Sequence, residues 1–331
     1  MPSVTSSDGP RNRRGPTATV LTTVTNPAPD PKLVAVQEQH GRVRIRLLTW
    51  DDLPAWQRDN TFLLTGYRQA SSSYRASLAS LAYLHNETVN IWSHLVGALL
   101  FVLLAAAGLY GAVFLGHEIA PRYATASRAD VLVFACFFAG AVACLGMSAT
   151  FHTLSNHSPA VARWGNKLDY AGIVLLIVGS YVPALYYGFR CDPELMVMYQ
   201  SIITLLGLGC GITAWMDRFR TPAWRPVRAA MFVALGLSGI VPVVHGLKLY
   251  GRDALERRMS LSWVVGHGAL YVIGAFIYAV RWPERRFPRR FDIWGSSHQI
   301  FHFFVLAAAA THCVGMGKAF DYHHGGMAAE C

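Results

Sequence analysis

From about residue 90 onward the chain alternates long apolar runs with short polar, mostly basic connections. Seven runs stand out: Ile91–Leu115, Val131–Phe151, Ala171–Phe189, Leu195–Trp215, Val227–Val244, Leu261–Val280 and Ile300–Met316. With interfacial residues added, most reach the roughly 20 residues that a membrane span needs. The last run is short unless it begins at Ser297. The pattern predicts an all-α, seven-transmembrane helix bundle over residues 91–317 in one domain. Ahead of it, residues 1–48 are rich in Pro, Ser, Thr and Arg and poor in aromatics, a composition that reads as disordered. Val43 to Leu48 alternates like a short strand. Residues 49–90 form a membrane-surface segment carrying Trp50, Trp56, Phe62 and Tyr67. A short amphipathic interfacial helix is expected there, within Ser71–Leu84, with Tyr74, Leu78, Leu81 and Tyr83 apolar. Residues 318–331 read as a short tail.

Composition agrees with a membrane protein. Of 331 residues 53% are hydrophobic and only 15% charged, against roughly 25% charged in soluble domains. The net charge of +10 does not signal nucleic-acid binding, because the basic residues sit in connections between apolar runs and act as topology determinants. Arg163 and Lys167, then Arg218, Arg220 and Arg225, then Arg281, Arg285, Arg286, Arg289 and Arg290 fall on one side with the basic N-terminal region. The opposite side has Arg122, Arg128, Arg190, Lys248, Arg252, Arg257, Arg258 and Lys318. The balance places the N-terminus in the cytoplasm and the C-terminus outside. The polar start of the chain has no apolar h-region, so no cleavable signal peptide is expected. The six cysteines show no CxxC and no zinc-finger spacing. Cys136, Cys144 and Cys210 read as packing residues, and nothing in the spacing pairs Cys191, Cys313 or Cys331.

The candidate chemistry lies at the ends of the runs. His298 and His302 are four residues apart, so they share one helical face about one turn (~6 Å) from each other. Alternation of seven spans brings the end of the second run (Ser148, His152), the start of the third (Asp169) and the start of the seventh (His298, His302) to the same membrane face. Each residue alone has an ordinary explanation: His152 as a hydrogen-bonded helix end, Asp169 as an N-cap, Ser148 as a packing residue. Together, three imidazoles with room for a water match a catalytic zinc site with one open position. Gln299 stands where a zincin HExxH motif has its glutamate, so a base must come from another helix, and Asp169 is the candidate. Ser148, one turn before His152, is placed to hydrogen-bond a water or a substrate carbonyl. His312 lies about 15 Å along the helix from His302 and is left out. His94, His245 and His267 read as structural or cavity-lining, His157 as a loop residue, and His323 and His324 as tail residues.

These residues fall within blocks that resemble one family. The blocks run from Leu53–Asn60 and Gly66–Arg68 through His85–His94. They continue with Ser148, Phe151–Thr153, Lys167–Ile173, Gly179–Pro183, Pro283–Arg285, Phe291–Asp292 and Ser297–His302. Over roughly residues 50–317 the chain resembles the progestin and adipoQ receptor family, also called the adiponectin receptor/hemolysin III-like family, in its fungal type. The resemblance implies seven helices with a cytoplasmic N-terminus. It also implies a zinc ion on His152, His298 and His302, with Asp169 and Ser148 beside it. Members are described as receptors, some as ceramide amide hydrolases, and fungal-type members are linked to zinc and lipid homeostasis.

The expected function is therefore a multi-pass protein of the plasma membrane or an endomembrane that is a zinc-dependent lipid amide hydrolase and receptor-like sensor. The alternative is a non-enzymatic receptor in which zinc only ties two helices together. Expected partners are membrane lipids, a sphingolipid or fatty-acid ligand and an extracellular protein ligand, with no nucleic acid. A transporter is disfavoured, because no second ligand cluster marks the opposite face. Two glycosylation sequons, at Asn86 and Asn156, fall on the side assigned to the cytoplasm.

Overall fold

The computed structural model describes residues 46–110, 123, 125–220 and 224–325. The expected disorder of the N-terminal region, the first half of the Val43–Leu48 strand, the end of the first run and the end of the tail lie outside these residues. Among the described residues, Leu48 pairs with Tyr67 in an isolated antiparallel bridge.

The helices are α1 (Tyr74–Ala79), α2 (Thr88–Tyr110), α3 (Arg128–Leu154), α4 (Pro159–Gly188), α5 (Pro193–Trp215), α6 (Arg225–Leu237), α7 (Ile240–Met259), α8 (Leu261–Val280) and α9 (Ser297–His324). Among the described residues they provide seven segments long and apolar enough to cross a membrane, with α6 and α7 together forming the fifth, Val227–Met259. Large apolar side chains such as Leu205, Leu208, Ile212 and Phe276 face outward, as expected of helices solvated by acyl chains rather than water. The short α1 is where the interfacial helix is expected.

Helix boundaries depart from the apolar runs wherever polar residues continue a helix. The α4 helix begins ten residues before Asp169, with Pro159 in its first turn and Ser158 as N-cap, its Oγ accepting from Val161 N at 3.4 Å. Asp169 is thus an interior helical residue, not an N-cap. Lys248 lies on α7 before its break at Gly251 (φ 77°, ψ 169°), and Arg252, Arg257 and Arg258 lie on the short helical piece beyond that break, where the Arg258 guanidinium covers the Tyr250 ring at 4.3 Å. His323 and His324 form the last turn of α9 and are not part of an irregular tail.

Two packing features position the polar residues. Helices α3 and α4 approach so closely that a Cβ added at Gly172 would come within 2.8 Å of Cys144 Cα, and one at Gly179 within 2.7 Å of the Cys136 carbonyl oxygen. Small residues allow this backbone contact between membrane helices. The Gly172–Cys144 contact lies about one turn from both Asp169 and Ser148, so it sets their register. Meanwhile α9 contacts α2, α4, α7 and α8, and its buried stripe includes the small residues Ala308, Ala309, Gly315 and Ala319.

Candidate metal centre

The last turns of α3 and the first turns of α9 meet at one end of the bundle. There His152, His298 and His302 each offer a ring nitrogen, and the three atoms lie within 4.8 Å of one another. Their ring centroids form a nearly regular triangle: 5.0 Å for His152–His298, 5.0 Å for His152–His302 and 4.9 Å for His298–His302. The planes cross steeply, at 75°, 69° and 81°. His152 and His302 are buried and His298 is half-buried. His152 Nε2 is buried with no hydrogen-bond partner.

All five site residues expected from the sequence converge here. Ser148 is buried beside the Asp169 carboxylate, which lies within electrostatic reach of His152. His312 is on the same helix but faces His267, with ring centroids 4.7 Å apart, and takes no part in the cluster.

The loops fix the ends of both helices. Arg68 is buried: Nη1 donates to Ser80 Oγ (2.7 Å) and the Thr153 carbonyl (2.9 Å), and Nη2 to the His152 carbonyl (2.6 Å) and Ser155 Oγ (3.0 Å). It satisfies carbonyls that the end of α3 leaves without intrahelical donors. At the start of α9, Glu284 Oε2 accepts from Ser297 N at 2.8 Å, and the Ser297 hydroxyl also donates to Glu284. Gln299, buried between the two α9 histidines, accepts from Gly295 N (2.6 Å) and donates to the carbonyls of Ile293 (2.9 Å) and Asn86 (3.3 Å). It is a clamp on the α9 entry, so its failure to match HExxH reflects a structural role.

Sequence reasoning assigned no role to the start of α2, and that is where it fell short. Glu87 Oε2 lies 2.7 Å from His152 Nδ1 and accepts from Asn90 Nδ2 at 2.7 Å. The Asn90 carbonyl is 3.1 Å and Ser93 Oγ 3.2 Å from His302 Nδ1. His94 stacks on the His302 ring at 3.6 Å and 7°. A signal was present: Glu87, Asn90 and His94 are spaced i, i+3, i+7, a polar stripe along an otherwise apolar helix.

Both sequon asparagines are also accounted for. Asn156 is buried, accepts from Ser77 Oγ at 2.9 Å and donates to the Gln69 carbonyl at 3.0 Å. Asn86 is buried as well. Neither side chain is exposed in the folded protein. A cavity of about 140 Å³ lies between α4, α5 and α7, lined by Tyr181, Leu185, Tyr199 and Ile203 among others, and includes none of the site residues.

Residues 82–313 match the family described as Haemolysin-III related. The chain is 43% identical over 283 residues to the ADIPOR-like receptor IZH2 of Saccharomyces cerevisiae, covering 86% of this chain and 87% of the yeast protein. It is 44% identical over 282 residues to the adiponectin receptor protein of Drosophila melanogaster, covering 85% of this chain but only 61% of the fly protein. Against the ADIPOR-like receptor IZH1 of Eremothecium gossypii it is 35% identical over 271 residues, covering 82% of this chain and 83% of that protein.

Proposed function

The chain belongs to the haemolysin-III related family and is an adiponectin receptor-like, multi-pass integral membrane protein; from that premise we propose that it holds zinc and hydrolyses a lipid amide of the ceramide class. The observation that carries this reading is the convergence of three imidazoles with the buried, unpartnered Nε2 of His152 among them. A buried nitrogen with an open lone pair is costly unless something binds it, and a cluster of imidazole donors suits zinc. His152, His298 and His302 would hold the ion.

Zinc bound there supplies Lewis acidity and makes water acidic enough to ionise near neutral pH, at a pKa of about 7. The protein supplies the proton acceptor. Asp169, inside α4 and facing His152, takes the proton from the attacking water at its carboxylate, and later returns one to the leaving amine. Ser148 lies beside that carboxylate. A lipid substrate reaches the centre from the bilayer, since the site lies at the end of membrane-spanning helices.

The expected orientation, with this end of the bundle facing the cytoplasm, has one further support. Cys191, in the connection between α4 and α5 at the opposite end, is disulfide-bonded, and disulfides persist in oxidising compartments. In intact cells carrying the protein at the plasma membrane, a C-terminal tag is expected to be digested by external protease and an N-terminal tag shielded. The reverse result would invert the topology.

The reading is tested by measuring zinc in the purified protein together with release of fatty acid from ceramide. Asp169→Asn is expected to keep zinc and lose roughly 10²–10⁴-fold in hydrolysis. Wild-type protein that binds zinc but never turns over ceramide would favour the receptor reading, in which the ion only ties α3 to α9. Wild-type protein without zinc affinity would remove the metal altogether.

A further inference from the structure

The start of α2 supplies no candidate ligand, yet it contacts two of the three histidines at their far nitrogens. An ionised carboxylate only accepts hydrogen bonds, so the 2.7 Å contact with Glu87 Oε2 requires the proton of His152 on Nδ1. That leaves the Nε2 lone pair free, and Nε2 is the buried atom with no partner. A backbone carbonyl likewise only accepts, so Asn90 O at 3.1 Å puts the His302 proton on Nδ1 as well. Ser93 Oγ, which donates to Asn90 O at 3.2 Å, shares that proton as an acceptor at 3.2 Å. His94, stacked at 3.6 Å, restricts rotation of the His302 ring.

We propose that Glu87 is the positioning residue of this centre: from the turn that leads into α2, a helix that contributes no ligand, it fixes the tautomer and ring orientation of His152 and so sets the metal affinity. The inference rests on the zinc reading above. Three observations distinguish it from a chance contact. The Glu87 carboxylate is itself steadied by Asn90 Nδ2 at 2.7 Å. Its backbone N–H is held by His85 Nδ1 at 3.1 Å, so the approach of the side chain is fixed from both ends. On the other flank of His152, Arg68 holds the residue's carbonyl at 2.6 Å. Backbone and ring of His152 are thus each held by a partner, and a carboxylate behind a ligating imidazole both orients it and raises its basicity.

Affinity is read by competing zinc against a chromogenic chelator, and coordination geometry by the visible spectrum of the cobalt-substituted protein. Glu87→Ala removes the acceptor, and Glu87→Asp keeps the charge but withdraws it by one methylene. Both are expected to weaken zinc binding by about 10–100-fold and to alter the cobalt bands. Glu87→Gln keeps an acceptor oxygen at the same reach, so it should stay within several-fold of wild type. Should Glu87→Ala fail to fold, the contrast between the aspartate and glutamine variants still decides. Wild-type affinity in all variants overturns the proposal. So does Glu87→Asp keeping wild-type affinity while Glu87→Gln falls, because charge rather than placement would then be acting. Lower thermal stability of the zinc-free protein with an unchanged zinc dissociation constant would reduce Glu87 to a helix-end residue and also overturn it. Absence of zinc binding by wild type is a separate outcome that removes the zinc reading itself.

Discussion

At one end of the bundle His324 donates from Nε2 to Asp130 Oδ1 at 3.0 Å, and its Nδ1 meets Thr125 Oγ1 at 2.9 Å. Beside it His323 Nε2 donates to the carbonyls of Tyr187 (3.0 Å) and Arg258 (3.1 Å), while Asp130 also accepts from Tyr187 and Ser127. At the other end His152 donates from Nδ1 to Glu87 and leaves Nε2 buried and open, facing two more imidazoles. Both ends bury histidines next to a carboxylate, yet only one leaves lone pairs converging on a point. Burial and a charged partner therefore do not mark a site. What separates the two ends is whether the hydrogen-bonding capacity is used up within the protein.

The strongest test of that contrast is metal content. His152→Ala, His298→Ala and His302→Ala are each expected to lower zinc occupancy to below about a tenth of wild type under chelator challenge, since losing a direct ligand exceeds the roughly 10–100-fold effect of losing an outer partner. His324→Ala and His312→Ala should leave occupancy intact. Full zinc in all three single mutants, or loss of zinc on removing His324, would erase the distinction.

A second test separates support from ligation at the same end. Arg68 ties the surface segment to the end of α3 by four hydrogen bonds, and burial lowers its pKa while Glu87 opposes that shift. Arg68→Ala leaves the carbonyls of His152 and Thr153 without this donor and is expected to destabilise the protein by about 3 kcal/mol. Arg68→Lys should recover only part of the loss, because an ammonium cannot reproduce the planar fork. Asp130→Asn at the far end should cost less, about 1–2 kcal/mol, since its neighbours keep some partners. Zinc-free unfolding curves measure all three, and an Arg68→Ala protein as stable as wild type would mean the cap is idle.

The parts of this arrangement that the sequence made legible are those carried by local periodicity. Seven apolar runs gave the spans, the spacing of His298 and His302 gave one face of α9, and alternation brought His152 and Asp169 to the same end. Hydropathy misplaced the boundaries because helices continue where apolar character stops. Arg163, Asn166 and Lys167 lie within α4, and Lys318, Asp321 and His323 within α9. By hydropathy Asp169 marks a helix start, whereas it lies three turns inside α4, beside Ser148. Glu87 and Asn90 form a visible polar stripe, but its target depends on how α2 packs against α3 and α9. No spacing within one segment encodes that packing.

The smallest expected effect concerns protonation beside the centre. His85, fully buried just before α2, accepts from Glu87 N through Nδ1. Burial first, and the Arg68 charge second, push its pKa down from the ordinary 6.5 to about 4. The folded protein thus favours neutral His85, and the unfolded chain takes up a proton at higher pH than the folded one does. Its contribution to stability is complete above pH 6.5, declines as acid protonates the unfolded chain, and is gone once pH falls through about 4. Between roughly pH 7.5 and 5.5 the loss from this one group is about 1 kcal/mol. His85→Asn supplies an oxygen that can accept the same N–H two residues on but does not titrate. Thermal unfolding of the zinc-free proteins, which removes acid effects on metal binding, should show a shallower decline for the variant across that window. Equal slopes in the two proteins would mean that His85 is already protonated in the fold, and that the Glu87 N–H is held by something other than a neutral ring.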